Sequence, residues 1–346
     1  MTILLVLSLI FLTSVVMTWG IMKYALYREM LDIPNVRSSH TVPTPRGGGL
    51  SFVMIATTAA IVIWTSKTQV SPWEMDQFII VATLGAWVAI IGFWDDHQNI
   101  PAKWRLLAHS IAAVIVIYLI GSPHIIFGSW MFDSSWISYL IFTIALIWLT
   151  NLYNFMDGID GLAGIEAIFV ASGALFLLWW NGTGTHTILW LGIIISGVSG
   201  FLILNWPPAK IFMGDVGSGY LGFIFGVIAI STAKTGDLSI WSWVILLGVF
   251  IVDATMTLLI RLIRKERWYE AHRSHTYQRL ARRLNSHLFV ILCISTINIF
   301  WLLPMAWCAE KWRDMGGLIA VISFVPLIVT TLLPFEPESK TMLDCS

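Results

Sequence analysis

The sequence predicts an all-α, polytopic integral membrane bundle of about eleven transmembrane helices. Three observations predict it. The 346-residue chain is 57% hydrophobic and only 12% charged, about half the charged share of a soluble domain. Its mean hydropathy is +0.80, more apolar surface than a water-soluble fold of this size can hide. The apolar residues fall into long runs separated by short polar connections, each run near the roughly 20 residues that a bilayer crossing needs.

The runs are centred near residues 3–23, 48–65, 77–94, 104–121, 136–152, 161–180, 187–205, 217–233, 240–262, 287–307 and 316–334. The first, from Ile3 to Ile21, has neither a basic stretch before it nor a small-residue cleavage site, and reads as a retained helix. With no low-complexity linker or visible repeat, residues 1–346 read as one domain. An odd number of spans places the termini on opposite sides. The loops after spans 1, 3, 5, 7 and 9, with the C-terminal tail, hold sixteen of the twenty Lys and Arg residues; Lys67, Lys234, Lys311 and Arg313 fall on the other side. The positive-inside rule then puts the N-terminus in the periplasm and the C-terminus in the cytoplasm. Tryptophans such as Trp64, Trp73, Trp130 and Trp179 gather at the opposite ends, as an interfacial belt does. Cys293, Cys308 and Cys345 show no pairing or metal-binding spacing. Acidic and basic residues cancel at twenty each, and no nucleic-acid partner is expected.

Five polar segments, near residues 24–48, 94–104, 151–161, 205–217 and 261–286, all fall on the basic side. In the first, Arg46 and three glycines open span 2, so backbone comes close to a partner and Arg46 offers an anion contact. In the second, Asp95 and Asp96 end a helix, where negative charge opposes the helix dipole. Adjacent helical residues point about 100° apart, so both reach one site only if the helix frays. Such a pair suits a divalent cation or a base; Lys103 and Arg105 follow, placed for phosphate. In the third, Asn151, Asn154, Asp157 and Asp160 recur every three residues along one stripe, with Gly158 and Gly161 allowing a turn. In the fourth, Asp215 sits between glycines just before span 8, where a helix N-terminus favours the carboxylate. The fifth is strongly basic and carries His272, Arg273 and His275; it suits a pyrophosphate or, more plainly, anionic lipid headgroups. Glu166 and Asp253 lie inside spans, and the sequence names no partner for either.

In this order, the PRGGG loop, Asp95-Asp96, NLYNFMDGIDGLAG from Asn151, FMGDVGSGY around Asp215 and the late His-containing basic loop resemble the bacterial polyprenyl-phosphate N-acetylhexosamine-1-phosphate transferases, glycosyltransferase family 4. The resemblance spans about residues 32–290 and is nearest the branch that starts O-antigen or related surface-glycan synthesis. The peptidoglycan branch typically carries consecutive histidines in the last loop, where this chain has His272-Arg273-Ser274-His275. The resemblance implies transfer of a sugar 1-phosphate from a UDP-N-acetylhexosamine to undecaprenyl phosphate, with release of UMP. It implies Mg²⁺ or Mn²⁺ held by Asp215 and Asn154. Asp95 would orient or deprotonate the lipid phosphate beside Asp96, and Asp157 would support the metal site. Asp160 and Gly161 would sit at the uracil, and Arg105, His272, Arg273 and His275 would face the phosphates; Asn151, Arg46 and Lys103, read from their own segments, complete the expected substrate-binding set. The implied setting is the bacterial inner membrane, among membrane lipids, with the active site on the cytoplasmic face and room for a homodimer.

Competing readings are a secondary transporter, which places charges at mid-membrane in repeated halves, and a non-catalytic scaffold of a glycan-assembly complex. A CDP-alcohol phosphotransferase would need an arginine soon after Asp157-Gly158, and none follows.

Overall fold

The computed structural model describes residues 2–34, 42–65, 72–98, 100–123, 125–127, 130–132, 136–266 and 273–333. Each of the eleven apolar runs is helical. They form α1 (Thr2–Tyr27), α2 (Leu50–Thr65), α3 (Pro72–Gln98), α4 (Ala102–Ile120), α5 (Trp136–Phe155), α6 (Leu162–Asn181), α7 (Thr185–Asn205), α8 (Asp215–Thr235), α9 (Ile240–Leu246) with α10 (Gly248–Ile263), α12 (His287–Ile297) with α13 (Leu303–Lys311), and α14 (Gly316–Leu332). Among the described residues nine helices are long and apolar enough to cross a membrane, and α9 with α10 makes a tenth as one bent span. α2, at 16 residues, is shorter than a usual crossing.

Three features depart from straight spans. The run over 240–262 is broken at Leu247, where α9 and α10 meet at 74°; Gly248, weak in holding a helix, opens α10. The run over 287–307 carries a π-helical turn, Asn298–Leu302. Pro304 follows it and supplies no backbone N–H to the preceding turn. A short polar helix, α11 (Thr276–Leu284), lies between α10 and α12, in a stretch the sequence marks only as basic loop. Two antiparallel hairpins, β1 (Leu31–Asp32) with β2 (Thr44–Pro45) and β3 (Ile125–Phe127) with β4 (Trp130–Phe132), are too short to have a sequence signature.

α8 is the axis of the bundle. Every residue from Val216 to Ile230 is buried, against α2, α3, α5 and α9. Small residues permit this. A Cβ on Gly49 would stand 2.5 Å from the Cα of Gly217, so the starts of α2 and α8 touch backbone to backbone. The same approach pairs two of the polar segments. Phe212 N–H donates to Pro45 C=O at 2.8 Å, and Gly48 and Gly49 N–H donate to the carbonyls of Phe212 and Met213, both at 2.9 Å.

Two buried glutamates tie the helices together, Glu310 far along the chain from the polar segments and Glu166 about one turn into α6. Glu310 accepts from Asn181 (2.9 Å), Ser239 N–H (2.9 Å), Ser242 (2.9 Å) and Arg313 Nε (2.8 Å), joining α6, α9 and α13. Glu166 on α6 accepts from Asn298 Nδ2 at 2.6 Å, and it is this amide that the π-helical turn presents.

Candidate active site

The polar segments meet at one end of the bundle around the first turn of α8. Gly214 is its N-cap residue and has no side chain to offer the free N–H groups. The cap comes from α3 instead. Asp96 accepts from the backbone N–H of Asp215 at 3.0 Å and of Val216 at 3.2 Å, a charge-assisted cap at the positive end of the helix dipole. α3 continues through Gln98 without fraying, yet both carboxylates reach the first turn of α8, Asp96 directly and Asp95 through Arg105, so fraying is not needed for the pair to share a site. Asp95 is paired with Arg105 Nη1 of α4, and that same nitrogen lies 2.6 Å from Asp215 Oδ2. One guanidinium therefore joins carboxylates from α3 and α8. Arg46, at the end of β2, is within electrostatic reach of Asp96.

The stripe from α5 arrives from the other side. Asn154 Nδ2 donates to Ser218 Oγ at 3.1 Å, which leaves the Asn154 amide oxygen uncommitted to that contact. Asn151 Nδ2 donates to Ile147 C=O at 2.7 Å and its side chain bonds His109 of α4. Asp157 lies in the turn between α5 and α6, partly buried. Burial, then the charges of Asp215, Asp96 and Asp160, raise its carboxyl well above the usual carboxylate range.

Asp160 faces a second space, a cavity of about 420 Å³ lined by Asp160, Arg273, Gln278, Arg282, Ser286 and His287 among others. Asp160 Oδ2 accepts from Ala209 N–H at 3.0 Å and lies 3.2 Å from His287 Nδ1. Gly161 N–H donates to Asn205 Oδ1 at 3.0 Å, and Asn205 Nδ2 reaches Ile211 C=O at 2.9 Å, tying the third polar segment to the fourth. Arg273 lines the cavity, its carbonyl accepting from Arg282 Nη2 at 3.0 Å. His275 is buried at the head of α11, its Nδ1 3.6 Å from Asp253 Oδ1. Lys103 stands apart from both groups, exposed, with its ammonium 5.6 Å from the ring of Trp104. His272 lies outside the described residues.

Sequence reasoning passed over His109, Ser218, Asn205, Tyr277, Gln278, Arg282 and His287. Only Ser218 carries a signal, since it sits one helical turn from Asp215. The others are recognisable only by what they touch.

Among the described residues no three carboxylate, imidazole or thiolate groups stand close enough to make a metal cage. The arrangement fits a cation held sparingly. Magnesium typically takes one or two protein carboxylates and completes its shell with water and substrate phosphate. Here Asn154 reaches Ser218 on the first turn of α8, which begins at Asp215; Arg105 joins Asp95 to Asp215, Arg46 acts on Asp96, and Asp157 lies within electrostatic reach of Asp96 and Asp215.

This end of the bundle is a membrane-embedded, acid-rich site bridged by arginine and built from the ends of α3, α4, α5 and α8. Residues 78–233, which contain it, match the family described as glycosyl transferase family 4. The chain is 28% identical over 344 residues to a probable undecaprenyl-phosphate N-acetylglucosaminyl 1-phosphate transferase of Bacillus subtilis, covering 95% of this chain and 93% of that one. It is 31% identical to the phospho-N-acetylmuramoyl-pentapeptide-transferase of Shouchella clausii over 63% of this chain and 68% of that one. To the protein of the same description in Lactobacillus acidophilus it is 33% identical, over 64% and 69%. The chain belongs to glycosyl transferase family 4.

Proposed function

We propose that this protein transfers an N-acetylhexosamine 1-phosphate from a UDP-sugar to undecaprenyl phosphate, releasing UMP, and that this step initiates O-antigen or another surface polysaccharide. The observation that carries the reading is the bridge Asp95–Arg105–Asp215 at the membrane end of α8, with Asn154 beside it. Both substrates are phosphate anions. A lipid phosphate reaches protein only where spans end, and that is where these groups converge.

In the reaction an oxygen of the lipid phosphate bonds to the β-phosphorus of the UDP-sugar. The bond from that phosphorus to the oxygen bridging the two phosphorus atoms breaks, and UMP leaves with that oxygen. The chain's task is to bring two anions together and hold them in line. Arg105 offers positive charge at the meeting point, fixed by Asp95 and Asp215. Asp96 fixes the backbone of Asp215. Asp95, on the acceptor side, orients the lipid phosphate. Mg²⁺, or Mn²⁺, held by Asp215 and Asn154, supplies neutralisation of the facing phosphates when bound. Asp157, beside Asp96 and Asp215, supports the metal site from the turn after α5, and Asp160 with Gly161 receives the uracil. The distribution of Lys and Arg supports a site on the cytoplasmic side, and the lipid acceptor suits residence in the inner membrane.

The test offers purified protein undecaprenyl phosphate, Mg²⁺ and a panel of UDP-N-acetylhexosamines, and measures UMP together with the mass of the lipid product. One donor is expected to give UMP and a matching lipid-linked diphosphate sugar. Failure of every donor, by a folded protein that binds Mg²⁺, contradicts the donor class.

A further inference from the structure

α11 has nine residues, TYQRLARRL, too few to hold a helix unaided. Three contacts from other helices hold it. Asp253 of α10, itself buried, accepts from the backbone N–H of Thr276 at 2.8 Å and of Tyr277 at 3.0 Å. It thereby caps the first turn, a task His275 at the N-cap does not perform. The same carboxylate receives Thr257 Oγ1 at 3.2 Å and lies 3.6 Å from His275 Nδ1. Tyr277 donates its hydroxyl to Phe155 C=O at 2.9 Å, against the turn that carries Asp157 and Asp160. That turn is shaped for it, since a Cβ on Gly158 would stand 2.1 Å from the hydroxyl. Arg279 donates to the carbonyls of Thr331 (2.6 Å) and Leu333 (3.0 Å) at the end of α14. With these contacts made, Gln278, Ala281 and Arg282 are turned to the 420 Å³ cavity that contains Asp160. Asp253 does not line that cavity.

We propose that Asp253 is a positioning residue for the UDP-sugar. It fixes α11, and α11 supplies the wall that closes the Asp160 cavity on the donor. The inference rests on the proposed function. It also assigns a role to a buried acid for which the sequence names no partner. Loss of a charged cap shifts the local equilibrium roughly tenfold, so donor binding should weaken by about that factor when the cap goes.

The test uses full-length protein and reads two quantities. The first is KM for the UDP-sugar and, separately, for undecaprenyl phosphate, in Asp253→Ala and Asp253→Glu. The second is amide exchange of the 276–284 segment. Asp253→Ala is expected to raise the donor KM about tenfold, leave the lipid KM within about twofold, and speed exchange in α11. Asp253→Glu, which keeps the charge and both oxygens, should recover part of the donor KM. A donor KM within about twofold of wild type in Asp253→Ala, or a lipid KM that rises equally, overturns the proposal. Should Asp253→Ala fail to fold, Tyr277→Phe removes one hold without unpairing a buried charge, and its donor KM should rise alone. Exchange in α11 decides the anchoring even if wild type uses no UDP-sugar, so failure of the functional reading stays separate from failure of this one.

Discussion

Substituting Gly92 by alanine tests how tightly the site depends on the contact between α3 and α8. A Cβ on Gly92 would lie 2.4 Å from the carbonyl oxygen of Asp215, 2.5 Å from its carbonyl carbon and 2.6 Å from the nitrogen of Val216. Ordinary contact begins at 3.4 Å, so α3 and the first turn of α8 must part by about 1 Å. All three atoms are backbone, and no side-chain rotation relieves the clash. The movement falls on the bonds from Asp96 to the N–H groups of Asp215 and Val216, now 3.0 and 3.2 Å, and on the Arg105 bridge. A displacement of 1 Å in a reacting constellation costs about 10²-fold in rate. Overpacking also costs about 1–3 kcal/mol of stability. UMP release by Gly92→Ala should therefore fall about 10²-fold, in a protein that still folds in detergent and melts a few degrees lower. Gly219→Ala, on α8 at its face toward α3, is the control. Its Cβ would meet Val88 at 3.6 Å, and activity should stay within about twofold. Wild-type turnover by Gly92→Ala would refute the argument that close approach of α3 aligns Asp215.

Arg105→Gln removes the charge shared by Asp95 and Asp215 and should lower UMP release by about 10²–10³-fold, the usual cost of losing one electrostatic stabiliser. Arg105→Lys should recover part of that, because a point charge replaces a planar fork. Glu166 and Asn298 each have one oxygen without a partner among the described residues, Oε1 and Oδ1. Glu166→Gln brings an amide that donates to Asn298, and should match or exceed wild-type melting temperature. Glu166→Ala strands the buried amide and should cost about 1–3 kcal/mol, read by thermal melting in the same detergent.

Much of the helical frame was legible because the apolar runs obey one length rule, and each run became helix. The bend at Leu247 and the π-helical turn at Asn298 were not, since apolarity is the same on both sides of a break. α11 escaped because its polar, arginine-rich sequence gives no burial pattern; Asp253, Tyr277 and Arg279 hold it from outside. The 100° between neighbouring helical residues suggested that Asp95 and Asp96 share a site only where a helix frays, but an intact α3 brings both to α8, one of them through Arg105. That Asp96 caps α8 while Asp95 meets Arg105 is tertiary information, as is the pairing of Phe212 and Met213 with the glycines at 48 and 49. The acidic stripe from Asn151 proved to serve two spaces, with Asn154 at the α8 end and Asp160 in the cavity beside α11 and α12. Spacing alone had placed them on one line and could not show where the chain turns away.

On the proposed function, Asp215 and its neighbours perform phosphoryl transfer with a bound divalent ion. The most direct test compares wild type with Asp215→Asn, which keeps the shape and removes the charge, in the presence of Mg²⁺ and after EDTA. UMP should form from undecaprenyl phosphate and the active UDP-sugar only with wild type and Mg²⁺, falling by at least about 10²-fold in the variant and to background with EDTA. Release that persists in EDTA, or an Asp215→Asn protein as active as wild type, would contradict it.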